Sequence, residues 1–312
     1  MKKLLSIVIP AYNEEKNIPL IYEELKKVLE KIKEKYDYEI IFVNDWSKDN
    51  TWEEIVKLAE KDKNVKGINF SRNFGHQAAL TAWLENAKWD VIVSMDADMQ
   101  DPPSLVLEML KKWEEWYDVV YARRKKRNDS FLKKYTAIWY YKLLYKVADT
   151  KIPRNVWDFR LIDRKVLNVF LKLKEKDRYI RWIFAWLWFK VAYVYFDRPE
   201  RIHGETGYTW RKMIKLAMDG ILNFSMFPLK LWFIFWSVMI LISFLFFVYI
   251  FYDMFFRWVY YPLFKWLSVL MFWFMGLQFI FMWIMWEYIW RIYNETRDRP
   301  IYVVMNKVNL DK

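Results

Sequence analysis

The sequence predicts an α/β domain built on a Rossmann-like parallel sheet, followed by a C-terminal hairpin of two apolar helices. Three observations carry that expectation. Short β-branched runs alternate with helical patterns through the first hundred residues, as in a doubly wound parallel sheet. Polar clusters fall at the ends of those runs, where such sheets bind ligands. From Leu231 onward, two long stretches are free of charge.

Leu4 to Ile9 is an apolar, β-branched run closed by Pro10, which suits a buried central strand. It superficially resembles a signal peptide, but the run is too short and is broken by Pro10 and by Glu14-Glu15-Lys16. Asn17 to Glu34 places Ile21, Leu25, Val28, Leu29 and Ile32 at helical spacing, with lysines and glutamates on the other face. Tyr38 to Val43 reads as a second strand and Trp52 to Lys61 as a second helix. Val65 to Phe70 and Gln77 to Asn86 repeat the pair, and Asp90 to Met95 is a fourth strand ending in acidic residues. A further strand is expected at Asp118 to Ala122. Phe131 to Val147 and Met213 to Phe224 read as helices, the second able to lie on a membrane surface.

Leu231 to Tyr252 and Trp266 to Trp286 each meet the requirement of about 20 residues for crossing hydrocarbon. Lys212, Lys215 and Lys230 precede the first run, and Arg291, Arg297 and Arg299 follow the second. Between them lie only Arg257 and Lys265 against Asp253. By the positive-inside rule, the preceding domain and both termini are expected in the cytoplasm, on a multi-pass protein of the cytoplasmic (inner) membrane. The expected organisation is a catalytic domain at 1–210, a juxtamembrane helix at 211–230, the two spans within 231–290 and a cytoplasmic tail at 291–312. The net charge of +12 fits an anionic membrane surface, and no nucleic-acid-binding module is recognisable. The chain has no cysteine, so disulfides and cysteine-based metal sites are excluded.

The chemistry-bearing residues follow the strands. Asp96 and Asp98 stand two positions apart just past a buried strand, followed by Gln100-Asp101-Pro102-Pro103. Paired carboxylates there can share a divalent cation with a diphosphate. Hard oxygen donors select Mg²⁺ or Mn²⁺. Such pairs also occur in solvated loops, so their neighbours matter. Pro10-Ala11-Tyr12-Asn13-Glu14-Glu15 follows the first strand, and Asn44-Asp45-Trp46-Ser47 the second. Ser71-Arg72-Asn73-Phe74-Gly75 follows the third, and Asp158-Phe159-Arg160-Leu161-Ile162-Asp163 lies further on. In this order the motifs resemble glycosyltransferase family 2, over nearly the whole chain. The subgroup they look most like is the polyprenyl-phosphate (bactoprenol) glucosyltransferases, related to dolichyl-phosphate mannose synthases.

The resemblance implies a nucleotide-binding GT-A domain. Pro10, Tyr12, Asn13 and Glu14 would line the nucleotide pocket, and Asp45 would contact base or ribose. Asp96, Asp98 and Gln100 would hold the metal and the diphosphate of a UDP- or GDP-linked sugar. Asp158 would serve at the reaction centre as base or orienting carboxylate. The implied reaction is inverting transfer of one sugar, with UDP-glucose as expected donor, to polyprenyl (undecaprenyl) phosphate. GDP-mannose or a UDP-aminosugar, a processive polysaccharide synthase and a catalytically inactive membrane scaffold remain as alternatives, and self-association into a homo-oligomer stays open. A phosphate acceptor is already anionic, so charge neutralisation is the harder task. Within the basic run Arg123 to Arg127, Arg123 and Arg124 are the expected phosphate contacts.

Two departures stand out. In His203-Gly204-Glu205-Thr206-Gly207-Tyr208, Gly207 stands where the resemblance expects lysine, with Arg201 or Arg211 as substitutes. Tryptophan also replaces expected glycine at Trp46, Trp83, Trp89, Trp116, Trp157, Trp182, Trp188, Trp236, Trp283, Trp286 and Trp290. The chain has 6 glycines and 20 tryptophans, where about 7% glycine is usual. Either UGA codons meaning glycine were translated as tryptophan, or the tryptophans are genuine. Trp52, Trp113 and Trp186 match no expected glycine. Arg181-Trp182 hints at a Gln-x-x-Arg-Trp signature of processive synthases, but the glutamine is missing, and no role is assigned to it.

Overall fold

The computed structural model describes residues 2–86, 90–125, 156–176, 178–197 and 263–310, with scattered residues between 235 and 257. The expected helices at 131–147 and 213–224, the segment His203–Tyr208, and Lys126 and Arg127 lie outside the described residues. By its contacts the chain forms two units. One comprises Met1–Ala137, Thr150–Tyr208 and Arg299–Lys312, the other Ile138–Asp149 and Thr209–Asp298.

The first unit is built on an eight-stranded sheet. β1 (Lys3–Ala11), β2 (Tyr36–Asn44), β3 (Val65–Phe70) and β4 (Val91–Ser94) appear where the sequence expects them, each within a few residues. Between them run α1 (Asn17–Glu30), α2 (Thr51–Lys61) and α3 (His76–Asn86). α4 (Leu105–Glu114), β5 (Val119–Arg124), β6 (Val156–Asp163), α5 (Arg164–Phe170), α6 (Ile180–Trp186) and β7 (Val191–Phe196) follow. The final strand, β8, spans Val304–Val308.

The strand order is β7-β5-β6-β4-β1-β2-β3-β8. It keeps the expected parallel core of β1 to β4 and adds antiparallel strands to it. β6 runs antiparallel between β4 and β5, and β8 runs antiparallel on β3. Residues 291–312, expected as a tail, therefore contribute a strand to the sheet of the first unit. β6 was read only as a motif because its charges interrupt the apolar alternation. β8 was missed because Lys307 and Asn306 make a five-residue stretch look like a solvated end.

Both faces of the sheet are covered, so its central strands read as continuous apolar runs. Leu5, Ile7 and Ile9 pack with Ile40 and Phe42 against α1, α2 and α4. Val8, Ile41 and Val43 pack on the other face with Ala78, Ala79 and Ala82 of α3, Phe170 of α5 and Ile183 of α6. In β6, Phe159 and Leu161 point to the first face, Val156 and Ile162 to the second. Period-two alternation then sends Asp158 and Arg160 to the second face, where α3 and α6 lie. Asp163 caps α5 by accepting the Lys165 N–H at 2.8 Å, and it also accepts the Trp113 indole N–H at 2.6 Å.

Gly67 of β3 is needed for space rather than for backbone freedom. A methyl group there would lie 2.7 Å from Val308 Cγ1, 2.9 Å from Ile55 Cγ2 and 3.0 Å from Trp52 Cζ3. Gly67→Ala is therefore expected to cost about 1–3 kcal/mol by overpacking. The drop would be read from the urea unfolding midpoint. An unchanged midpoint would mean that β8 moves aside without penalty.

In the second unit, α7 spans Leu263–Thr296, 34 residues that include the expected second span. Every described residue from Phe235 to Phe256 is helical. The Phe235 and Phe281 rings lie 5.2 Å apart. Large apolar side chains such as Met271, Phe279, Ile280 and Trp286 are exposed on α7. Among the described residues, no helix is long and apolar enough to cross a membrane.

Candidate functional site

The functional loops gather at the carboxyl ends of the central strands because of strand direction. β1, β2 and β4 are parallel, so the segments after Ala11, Asn44 and Ser94 emerge together. β6 runs the other way, and its register sets Ser94 opposite Arg160. Two residues further along each strand, Asp96 and Asp158 are carried to the same end. Arg123 and Arg124 close β5 at that end as well, with Arg123 opposite Val156.

The first two loops lock onto each other. The Asn13 N–H donates to Ser47 Oγ at 2.9 Å, and Asn13 Oδ1 accepts the Lys48 N–H at 2.8 Å. The Glu14 N–H donates to Thr51 Oγ1 at 2.8 Å. Asn13 holds φ 57°, a left-handed value that asparagine tolerates. Pro10 is buried in β1, whereas Tyr12 and Asn13 are exposed. Asp45, expected at base or ribose, is buried. Its oxygens accept the Phe74 N–H at 2.7 Å and the Gly75 N–H at 2.9 Å, so it ties the third loop to the second. Burial raises its pKa against the opposing pull of those two bonds. Gly75 itself has φ 93°, which a side chain would strain.

The Asp96–Asp101 loop concentrates negative charge. The Asp96 N–H donates to Asp101 Oδ2 at 3.0 Å, and the Gln100 N–H donates to Asp98 Oδ1 at 3.1 Å. Met99 is in the left-handed region at φ 59°, a strained value for an unbranched apolar residue and one that bends the loop sharply. Asp98 and Asp101 are buried, while Asp96 remains partly open. Burial, and then the charges of Asp96 and Asp98, push the Asp101 carboxyl well above its ordinary pKa. Among the described residues, no three His, Asp or Glu side chains are arranged to enclose a metal ion. The donor set fits partial ligation of a hard cation, with the remaining positions left to diphosphate oxygens and water.

Facing this loop is a cluster centred on Asp158. Arg160 Nη2 donates to Asp158 Oδ1, and Arg181 Nη2 lies 3.3 Å from Oδ2. His76 Nε2 lies 3.2 Å from the same Oδ2 and 4.0 Å from Asp96 Oδ1. Ser94 Oγ donates to the Asp158 carbonyl. Arg160 is 1% exposed, with its guanidinium 5.2 Å from the Phe184 ring. Burial raises the Asp158 pKa, but Arg181, the His76 hydrogen bond and Arg160 together hold it far below the usual carboxylate range. Asp158 is thus a fixed anion with both oxygens engaged. Its geometry favours the orienting role over that of a base.

Sequence reasoning named Asp158 but missed its partners. Arg160 lies inside the Asp158–Asp163 motif, Arg181 belongs to an incomplete signature, and His76 directly follows the third motif. The signal available was period-two alternation in β6, which points Asp158 at α3 and α6. Arg123 stacks near the Tyr193 and Tyr195 rings at 5.4 and 5.9 Å, and Arg124 contributes positive charge at Asp101.

Residues 6–171 match the family described as Glycosyl transferase family 2. The chain is 44% identical over 307 residues to "Uncharacterized glycosyltransferase YkcC" of Bacillus subtilis (strain 168), covering 98% of this chain and 94% of that one. It is 38% identical to "Uncharacterized glycosyltransferase sll0501" of Synechocystis sp., covering 98% and 96%. It is also 36% identical to "Bactoprenol glucosyl transferase" of Shigella phage SfV, covering 97% and 98%. A GT-A-like sheet, with its loops meeting an acidic turn at the carboxyl ends of the strands, agrees with that likeness. The chain belongs to glycosyltransferase family 2.

Proposed function

We propose that this chain transfers a single sugar, from UDP-glucose as the favoured donor, to a polyprenyl phosphate at the cytoplasmic face of the membrane. The observation that carries the reading is the meeting of two opposite poles at the carboxyl ends of the central strands. The acidic pole is Asp96, Asp98 and Asp101. The basic pole is His76, Arg160 and Arg181 around Asp158, with Arg123 and Arg124 close in chain direction. Transfer between two anions needs such an arrangement, because a diphosphate must leave while a phosphate attacks. The relatives named bactoprenol glucosyl transferase support the acceptor class.

Asp96, Asp98 and Gln100 would hold Mg²⁺ or Mn²⁺ with the donor diphosphate. When bound, the ion supplies charge neutralisation for the departing nucleotide. The loops at Pro10 to Glu14 would line the nucleotide pocket. Asp158 keeps Arg160 and Arg181 in place, and no general base is required, because a lipid phosphate is already ionised at neutral pH. Attack in line with the leaving group inverts the anomeric carbon.

The membrane reading is supported by chain path and surface. Exposed apolar side chains on α7 suit lipid, and the Phe235–Phe281 contact joins the start of one apolar run to the end of the other, as in an antiparallel pair. The chain leaves the first unit after Tyr208 and re-enters it at Arg299. An excursion of that kind into a bilayer makes an even number of crossings, consistent with two.

The test incubates the full-length protein with undecaprenyl phosphate and radiolabelled UDP-glucose, UDP-N-acetylglucosamine or GDP-mannose, with and without Mn²⁺. Label entering the lipid phase with UDP-glucose, dependent on Mn²⁺, is expected. Label confined to water, or built into a long polymer, would overturn the reading.

A further inference from the structure

Taking the transfer reaction above as the activity, we propose that His76 is a positioning residue that sets the gap between Asp96 and Asp158. His76 opens α3, directly after the Gly75 turn whose N–H is held by Asp45. Its Nε2 spans the two poles of the site, 3.2 Å from Asp158 and 4.0 Å from Asp96. Neutralising Asp158 does not require it, since Arg160 and Arg181 already contact both carboxylate oxygens. Its side chain is 41% exposed, whereas the three partners of the cluster are buried or nearly so. Of this cluster, His76 is therefore the member that faces the space between the acidic loop and Asp158. Anchored to Asp158 at 3.2 Å and standing 4.0 Å from Asp96, the ring occupies the space between the two carboxylates and limits how closely they can approach. Misplacement of reacting groups by about 1 Å is costly in a reaction that depends on alignment.

The experiment compares wild type, His76→Ala and His76→Gln, whose amide N–H can replace the Nε2 bond. It measures kcat and both KM values for transfer to polyprenyl phosphate, together with thermal midpoints. His76→Ala should lower kcat by roughly 10–100-fold, the range for losing an orienting partner. The KM for nucleotide sugar and the melting temperature should stay near wild type, and His76→Gln should recover most of the loss. Equal kcat in wild type and His76→Ala would overturn the assignment, as would a loss that tracks a fallen melting temperature. Absence of lipid labelling by the wild type would instead sink the transfer reaction itself.

A separate observation carries a second inference. Seven non-glycine residues have positive φ among the described residues, and three of them are tryptophans: Trp46 at 58°, Trp116 at 66° and Trp188 at 54°. Left-handed backbone costs an L-residue with a Cβ on the order of 1–2 kcal/mol. Burial returns little against that cost, since the side chains are 48%, 83% and 76% exposed. Other tryptophans in the chain make contacts. Trp113 donates to Asp163, Trp52 packs against Gly67, and Trp182 is buried. We infer that Trp46, Trp116 and Trp188 are glycine in the protein as its source makes it, decoded from UGA. Codon reading and peptide masses of the natural protein test this directly. UGA at the three codons and glycine in the peptides are expected. UGG at any of the three would overturn the inference for that position. The triple variant Trp46→Gly, Trp116→Gly, Trp188→Gly should melt roughly 5–10 °C higher than the sequence as written. An unchanged or lower midpoint would contradict it.

Discussion

Asp96→Asn is expected to lower sugar transfer by roughly 10²–10³-fold, the size of effect seen when one preorganised electrostatic group is lost. Asp96 is the most accessible carboxylate of the acidic loop, while Asp98 and Asp101 are buried. The substitution keeps the shape and the backbone bond to Asp101 while removing one charge. Stability should not fall, since removing the Asp96 charge relieves repulsion on the buried Asp101. Transfer measured across a Mn²⁺ titration is the informative readout. The variant should need more Mn²⁺ for half-maximal rate and should remain slow at saturation. Full activity in Asp96→Asn would remove the carboxylate pair from the chemistry.

Asp158→Ala is expected to be the most destabilising single change at the site. It would leave Arg160 fully buried with its principal anion gone, and Arg181 and His76 with a partner missing. Breaking a buried ion pair from one side costs about 3–5 kcal/mol, because the remaining charge is not solvated. Chemical unfolding would reveal the loss as a lower midpoint. The double variant Asp158→Leu, Arg160→Leu should recover part of it, since burying no charge costs less than burying one alone. A single variant as stable as wild type would mean that water reaches Arg160 and that the cluster is looser than its burial indicates. Activity should vanish in both variants, which separates the folding contribution of the cluster from its catalytic one.

The parts of the fold that were legible are those set by local pattern. β1 to β4 and α1 to α3 announce themselves by β-branched runs and by 3.6-residue spacing, because both faces of a central parallel strand are apolar. The strands that escaped, β6 and β8, are held by pairing rather than by pattern. β6 carries Asp158, Arg160 and Asp163 within eight residues, and their pairing with one another and with His76, Trp113, Lys165 and Arg181 makes such a strand tolerable in a core. β8 depends on β3, far away in sequence. The site shows the same division. Residues adjacent to a strand end, such as Asn13, Asp45 and Asp96, were legible from position. His76 and Arg181 were not, because what brings them to Asp158 is the direction in which β6 runs. The tryptophans were suspect from composition, but only backbone angles separate Trp46, Trp116 and Trp188 from those that pack.

The pairing of β8 with β3 also imposes a schedule on synthesis. Gly67 meets Val308 across the ladder, so the ribosome must add roughly 240 residues, on the order of tens of seconds of elongation, before that edge finds its partner. During that interval the nascent chain presents an unpaired strand edge, and any apolar run destined for lipid emerges before the sheet is complete. The sheet of the first unit therefore closes late, because β3 gains its antiparallel neighbour only after the long intervening segment has been made.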